Sequence, residues 1–187
     1  MNNRKMEAKL LELGLRPRDG KGYHSLSDEE IAELESTINV KLPVDYHDFV
    51  TEYGDSSFAR IVEVVPVSKP PKHISESGRT GFATFYGSDF ESRGLLTVAK
   101  IYKGRMPVTI IPIGRDLAGN QYCLGLSGKD RDKIYLWDFE GEPAEEDYIG
   151  REEEVPKNIW YQNLTLMAES FTDFINRLII LSSNSVS

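Results

Sequence analysis

Hydrophobic positions recur along this chain with two different periods, and the switches between them mark out its elements. Between Pro107 and Gly141, Tyr122, Leu124 and Leu126 alternate with Cys123 and Gly125, and Ile134, Leu136 and Phe139 interleave with Tyr135, Trp137 and Asp138. A period of two is the signature of strands with one buried face. Val108, Ile110, Ile111 and Ile113 make a further strand ahead of them, interrupted by Pro112. Proline has no amide hydrogen, so this strand belongs at a sheet edge or carries a bulge. The connections Arg115 to Asn120 and Ser127 to Lys133 are rich in Gly, Asp, Asn and Ser, and too short for a crossover helix. The stretch therefore reads as an antiparallel meander.

Elsewhere the period lengthens to that of a helix. Met6, Leu10 and Leu13 are spaced for a short amphipathic helix from Asn3 to Leu13, with Gly14 at its C-terminal cap; Arg16 to Ser25, carrying Gly20 and Gly22, reads as a mobile linker. Ser27 followed by Glu30 is a capping box that opens a helix with Ile31, Leu34 and Ile38 on its buried stripe. Leu42-Pro43 breaks it and starts another, on which Tyr46, Phe49, Val50 and Tyr53 share a face and Gly54 supplies a left-handed end. Phe58 to Val67 favours a strand, Ser68 to Gly81 a surface loop and Gly81 to Gly87 a short strand. Leu95, Val98, Ala99 and Tyr102 then fit a helix. Glu142 to Asn158 is densely acidic and suits an exposed loop. Leu164, Leu166 and Met167 lead into a closing helix with Phe171, Phe174, Ile175 and Leu178 on one face.

The chain has 187 residues, of which 40% are hydrophobic and 28% charged, enough for one domain with a substantial core. The parts are an N-terminal helix and linker over residues 1–25, the body over 26–181, and a serine-rich tail over 182–187. The fold class is α+β, a largely antiparallel sheet with helices packed on it. A formal charge of -8 repels phosphate backbones and anionic lipid, which argues against nucleic acid or a membrane as partner and favours basic ones. Cys123 is the only cysteine, so no internal disulfide forms. MNNRKMEAKL has no signal-peptide core and no run reaches spanning length, so the expected location is the cytoplasm.

Catalytic chemistry is not specified. His24, His47 and His73 lie in separate segments with no second ligand at metal spacing, and Cys123 reads as a small buried hydrophobe. Gly114 to Gln121 mimics the glycine spacing of a phosphate loop, but Asn120 stands where the lysine belongs, and Asp116 and Asn120 are turn residues rather than calcium ligands. Asn163-Leu164-Thr165 matches a glycosylation acceptor that matters only in an exported chain. The aromatic set Tyr46, Phe49, Tyr53, Phe82, Phe85, Trp137, Phe139, Phe171 and Phe174 reads as core. No catalytic residue, metal or cofactor is expected. The candidate partner-binding residues are the acidic Glu142, Glu145, Glu146, Asp147, Glu152, Glu153 and Glu154, with Trp160 and Tyr161 beside them.

In order along the chain, SDEEIAELE, KLPVDYHDFVTEYG, IIPIGRDLAGNQYCLGLSGKDRDKIYLWDFEGE and ESFTDFINRL make a pattern that resembles the SUKH superfamily, which takes in the fungal Smi/Knr cell-wall regulators and many bacterial immunity proteins. The likeness runs from about Leu26 to Leu178 and departs from the family in the long Ser68–Gly81 loop and the long acidic stretch after Gly141. It implies an α+β fold and a non-enzymatic protein that binds and neutralises a cognate toxin, a basic nuclease being the type that suits an acidic inhibitor. The alternative it implies is a regulatory or scaffolding module of the Smi/Knr kind. The family supplies no catalytic residue to transfer.

Overall fold

The computed structural model describes residues 3–88, 94–143 and 159–181. Its helices are α1 (Asn3–Leu13), α2 (Asp28–Ile38), α3 (Val44–Tyr53), α4 (Leu95–Ile101) and α5 (Phe171–Arg177). Its strands are β1 (Leu15–Pro17), β2 (Ser56–Val64), β3 (Thr80–Phe85), β4 (Ile110–Arg115), β5 (Gln121–Gly125), β6 (Ile134–Trp137), β7 (Leu164–Ala168) and β8 (Leu178–Ile180). All strand pairs are antiparallel, in the order β1-β2-β3-β4-β5-β6-β7, and β8 also pairs with β2. The expected α+β class is what the protein adopts. Among the described residues, no helix is long and apolar enough to cross a membrane.

Strand β2 is long enough to serve two neighbours on one side. Its first residues, Ser56 to Phe58, pair with β1, and Val62 to Val64 pair with β8, with a register shift between Ser57 and Val62. At the opposite edge, β7 is not left bare: the amides of Val67 and Ser68 donate to the carbonyls of Met167 and Leu166 at 3.0 Å. The chain leaving β2 thus covers the far edge of its own sheet, which removes a template for edge pairing.

One face of the sheet carries the main core. Ile111, Ile113, Tyr122, Leu124, Ile134 and Leu136 meet α1, α2, α3 and α5 there. Phe49, Phe82, Phe85, Phe171 and Phe174 form its aromatic centre, with Phe85 4.6 Å from Phe49 and 4.5 Å from Phe82 between ring centroids. Each such buried ring contributes about 1.5–3 kcal/mol through the water it gives up. The helices start as their sequences dictate. The Ser27 hydroxyl accepts from the Glu30 amide and the Glu30 carboxylate accepts from the Ser27 amide at 2.9 Å, the reciprocal capping box. Ser170 caps α5 in the same way through the amide of Asp173.

Several expectations are corrected. Arg16 and Pro17, in the stretch read as linker, belong with Leu15 to a strand, because backbone groups there are taken up by β2. The closing helix stops at Arg177, and Leu178, placed on its apolar face by the spacing, instead begins β8. Leu164–Ala168, read only as a lead-in, is strand β7. The strand after Gly54 ends at Val64, leaving Val65 and Val67 partly exposed, and Val108 lies outside β4 and is exposed. Gly54 is not left-handed, with φ at -57°; glycine is needed because a Cβ there would lie 2.6 Å from the His24 carbonyl oxygen, where the incoming chain crosses Gly54 and Gly87. Phe139, placed on the buried side by alternation, lies beyond the end of β6 and is 50% exposed.

Candidate partner-binding site

The second face of the sheet carries a smaller cluster in which Met106, Ile110, Cys123 and Trp137 are buried, with Tyr102, Tyr135 and Leu164 packed against them. Helix α4 and the turn after it cover part of this face. Past Tyr102 a cleft of about 510 Å³ opens, walled by Tyr86, Tyr102, Arg115, Gln121 and Phe139, with Arg18 and Ile101 on its rim.

Arg115 reaches this face because of a bulge. Ile111 and Ile113 are buried in the main core, so strict alternation would send Arg115 there too. The β4–β5 register instead shifts between Pro112 and Gly114: Pro112 pairs with Cys123 but Gly114 with Tyr122, and Arg115 is left opposite Gln121, which pairs in turn with Trp137. Directly paired residues share a face, so the extra residue re-aims the guanidinium out of the core. Pro112 thus sits at a bulge, one of the two places open to it, in a strand that β5 pairs along its length and β3 pairs only at Gly114 and Arg115. Glycine at 114 is required, because a Cβ would lie 2.6 Å from the Thr84 carbonyl oxygen and 3.0 Å from the Phe82 ring.

The floor of the cleft is rigidly hydrogen-bonded. The Tyr86 hydroxyl donates to Gln121 Oε1 at 2.7 Å, and Gln121 Nε2 donates to the Gly119 carbonyl at 2.7 Å. Gly119 is itself held by Asp116, whose Oδ1 accepts from the amides of Gly119 and Asn120 and whose Oδ2 accepts from Asn120 Nδ2. Asn120 Oδ1 accepts from the Phe139 amide at 3.0 Å, fixing the main chain at the cleft's mouth. Burial pushes the Tyr86 and Tyr102 hydroxyls above their ordinary pKa, with the charge of Arg115 acting in the opposite sense on both. These tyrosines are neutral donors at physiological pH.

The cations around the cleft differ in what holds them. Arg18 Nε lies 2.7 Å from Asp55 Oδ1, and Asp55 is itself buried. Arg105 donates through Nε to Glu142 at 2.7 Å and stacks 4.7 Å over the Tyr102 ring and 5.7 Å from that of Trp137. Arg115 is exposed, and among the described residues its guanidinium faces no carboxylate at ion-pair distance. Asp116, its neighbour in sequence, is committed to the turn.

Of the residues singled out from the sequence, Glu142 is the anchor for Arg105 beside the cleft. Tyr161 donates to Asp130 at 2.7 Å with Lys129 4.0 Å over its ring, and Trp160 is half-buried in the same short 3-10 turn, Ile159–Tyr161. Glu145, Glu146, Asp147, Glu152, Glu153 and Glu154 lie outside the described residues. Glu142 is therefore linked to the cleft only through Arg105, which stacks on Tyr102 of its wall, and Tyr161 lies in a different cluster. Sequence reasoning missed Arg115, Tyr86, Tyr102, Gln121 and Arg18. The one available signal was Pro112 followed by Gly114 in an apolar strand, which marks a bulge and hence a reversal of facing.

The histidines stay apart. His24 lies 3.1 Å from Asp19, whose carboxyl is lowered to about 2 by the Lys21 amide and then by His24 itself; His73 lies 2.8 Å from the buried Asp138; and His47 lies 3.7 Å from Asp48. Among the described residues, no group of three or more His, Cys, Asp and Glu is placed to hold a metal. Burial pushes the Cys123 thiol far above its ordinary pKa, so it is not poised as a nucleophile. The cleft offers a partner flat aromatic rings and an exposed guanidinium around a hydrogen-bonded floor.

Comparison with known proteins gives two findings. The model of the SMI1 / KNR4 family (SUKH-1) matches residues 25–177. The chain is also 28% identical over 189 residues to the SPbeta prophage-derived uncharacterized protein YokK of Bacillus subtilis (strain 168), an alignment that covers 96% of this chain and 87% of the relative.

Proposed function

The chain belongs to the SMI1 / KNR4 family (SUKH-1), and from that premise we propose that it is a non-enzymatic, cytoplasmic immunity protein that binds and neutralises a cognate protein toxin. The observation that carries this reading is the open end of the sheet's second face. Ile101 and Phe139 are 55% and 50% exposed there, beside Tyr86, which Gln121 holds through its hydroxyl, Tyr102, whose ring packs on Trp137, and Arg115. Aromatic residues and arginine set in an apolar surface are the composition of protein-contact hot spots. The relative described as prophage-derived supports a role carried on mobile DNA.

The negative charge has a place in the same reading. A nuclease toxin is basic where it holds its substrate, and a net charge of -8 speeds capture of such a partner. The acidic stretch that begins at Glu142 is the natural contributor, with Glu145, Glu146, Glu152 and Glu153 as its proposed contacts.

The test is co-expression with the toxin domain encoded beside this chain's gene. Protection of the host and a stoichiometric complex are expected, with association slowing as salt rises and on joint neutralisation of Glu145, Glu146, Glu152 and Glu153. Failure to protect together with failure to bind would reject the immunity role. A gene neighbourhood with no exported toxin would favour the regulatory module of the Smi/Knr type.

A further inference from the structure

We infer that the Arg115 cleft is the specificity pocket of this protein, and that its occupant is a carboxylate-bearing side chain of the toxin flanked by an aromatic or aliphatic residue. This rests on the toxin-binding reading and adds to it the site and the chemistry of the segment that enters.

The charge argument comes first. Among the described residues Arg4, Arg16, Arg60 and Arg115 are exposed arginines with no carboxylate at ion-pair distance, and of these only Arg115 lines the cleft. Arg18 has Asp55 and Arg105 has Glu142. Arg115 is turned away from the core by a bulge and faces no carboxylate among the described residues, while the adjacent Asp116 is tied into the turn by its own hydrogen bonds. A guanidinium offers a planar fork that matches a carboxylate with two parallel hydrogen bonds.

The apolar walls define the rest of the occupant. Phe139 is pinned by Asn120 through its own amide, and Leu117, in the same turn, is 96% exposed. The Phe139 ring meets Trp137 edge-on at 6.5 Å on one side and lines the cleft with the other, and Leu117 adds apolar surface in the neighbouring turn. Tyr86 and Tyr102 are half-buried and present fixed ring surfaces, and Gln121 is locked by two hydrogen bonds, so the cleft is organised before anything enters it. A site already rigid loses little entropy on binding, which is what separates a hot spot from a merely sticky surface. The acidic stretch and the cleft then divide the work: the first accelerates encounter with a basic toxin, the second selects which toxin is held.

The experiment titrates an inactivated form of the toxin domain encoded beside the gene against wild-type protein and the variants Arg115→Glu, Arg115→Lys and Phe139→Ala, with circular dichroism confirming that each is folded. Expected losses of affinity are roughly 100-fold for Arg115→Glu and roughly 10-fold for Phe139→Ala, mainly through faster dissociation, with Arg115→Lys between wild type and Arg115→Glu. As an independent readout, phenylglyoxal should modify Arg115 in the free protein and be blocked in the complex, read by peptide mass spectrometry. If wild type binds and Arg115→Glu and Phe139→Ala bind equally well, or Arg115 is labelled equally in the complex, the pocket assignment is wrong and the toxin-binding reading stands. Tighter binding by Arg115→Glu would also overturn it, since the partner would then meet the cleft with positive charge. If wild type itself fails to bind, the toxin-binding reading falls and takes the pocket's occupant with it.

Discussion

Asp130 is the carboxylate on which the stability of the sheet's far end should depend. It is 1% exposed, and it sits in the β5–β6 connection, where three hydroxyls converge on it. Thr109 and Tyr161 donate to Oδ2 at 2.6 and 2.7 Å, and Tyr135 donates to Oδ1 at 3.1 Å. They come from the start of β4, the turn before β7 and β6, so one side chain ties three segments together. Asp130→Asn keeps the shape but removes the charge. Its carbonyl oxygen still accepts from Thr109 and Tyr161, while its amide meets the Tyr135 hydroxyl as a donor. A hydrogen bond to a charged acceptor is worth about 1.5–3 kcal/mol against about 1 kcal/mol for a neutral one. Converting all three therefore costs about 1.5–6 kcal/mol, a large part of a typical stability of about 5–15 kcal/mol. In urea, with a slope of about 2 kcal/mol/M, the midpoint falls by about 1–3 M. Tyr161→Phe removes one donor, and combined with Asp130→Asn its cost should be less than additive.

The pH dependence supplies a second check on the same residue. Burial raises the Asp130 carboxyl, but the hydrogen bonds from Thr109, Tyr161 and Tyr135 outweigh it and leave its pKa below the ordinary value. A carboxyl depressed in the folded state stabilises above its unfolded pKa of about 3.9, and that stabilisation is lost as pH falls through the folded value. The gap between wild type and Asp130→Asn should hold from pH 7 to about 5 and narrow only below about 4. A gap under about 0.5 kcal/mol at pH 7, within the range of ordinary surface substitutions, would refute the reasoning, as would one that widens in acid.

Three further outcomes follow from the same geometry. Gly87→Ala places a Cβ 2.2 Å from the Asp55 amide nitrogen and 2.3 Å from the His24 carbonyl oxygen, so it should destabilise by about 3 kcal/mol or more or yield no folded protein, read by thermal melting. Gly114→Ala should cost about 1–3 kcal/mol and, by straining the bulge, alter the amide shifts of Arg115 and Gln121 more than those of the helices in a nitrogen–proton NMR spectrum. Cys123 should resist a thiol reagent in the native protein and react in full once unfolded; rapid native labelling would contradict its burial against Met106.

The sequence was most legible where a local rule was sufficient. The Ser27 and Glu30 capping box, the apolar stripes of α1, α2 and α3 and the meander of β4, β5 and β6 all rest on contacts within a few residues or on a simple period, and the fold class follows from them. It was least legible where two distant segments decide a residue's role. Leu178 has the spacing of a helix face, and only the free edge of β2 makes it a strand residue. Gly54 looks like a helix cap, and only the crossing chain at His24 shows that it answers to space instead of to φ. Phe139 continues a period of two that the hydrogen bond from its amide to Asn120 has already ended.

The candidate site falls wholly in that second class. Arg115 reads from the sequence as the first residue of the connection to β5, and alternation continued from Ile111 and Ile113 would point it into the main core, since alternation carries no information about where it is broken. The tertiary structure reverses the assignment by one extra residue, set where Gly114 must pass the Thr84 carbonyl. Family membership and fold class were therefore written in the one-dimensional pattern, because many local preferences agreed on them. Which side chains meet at the open end of the sheet was decided only by long-range strand register, because a single bulge exchanges the faces of every residue beyond it.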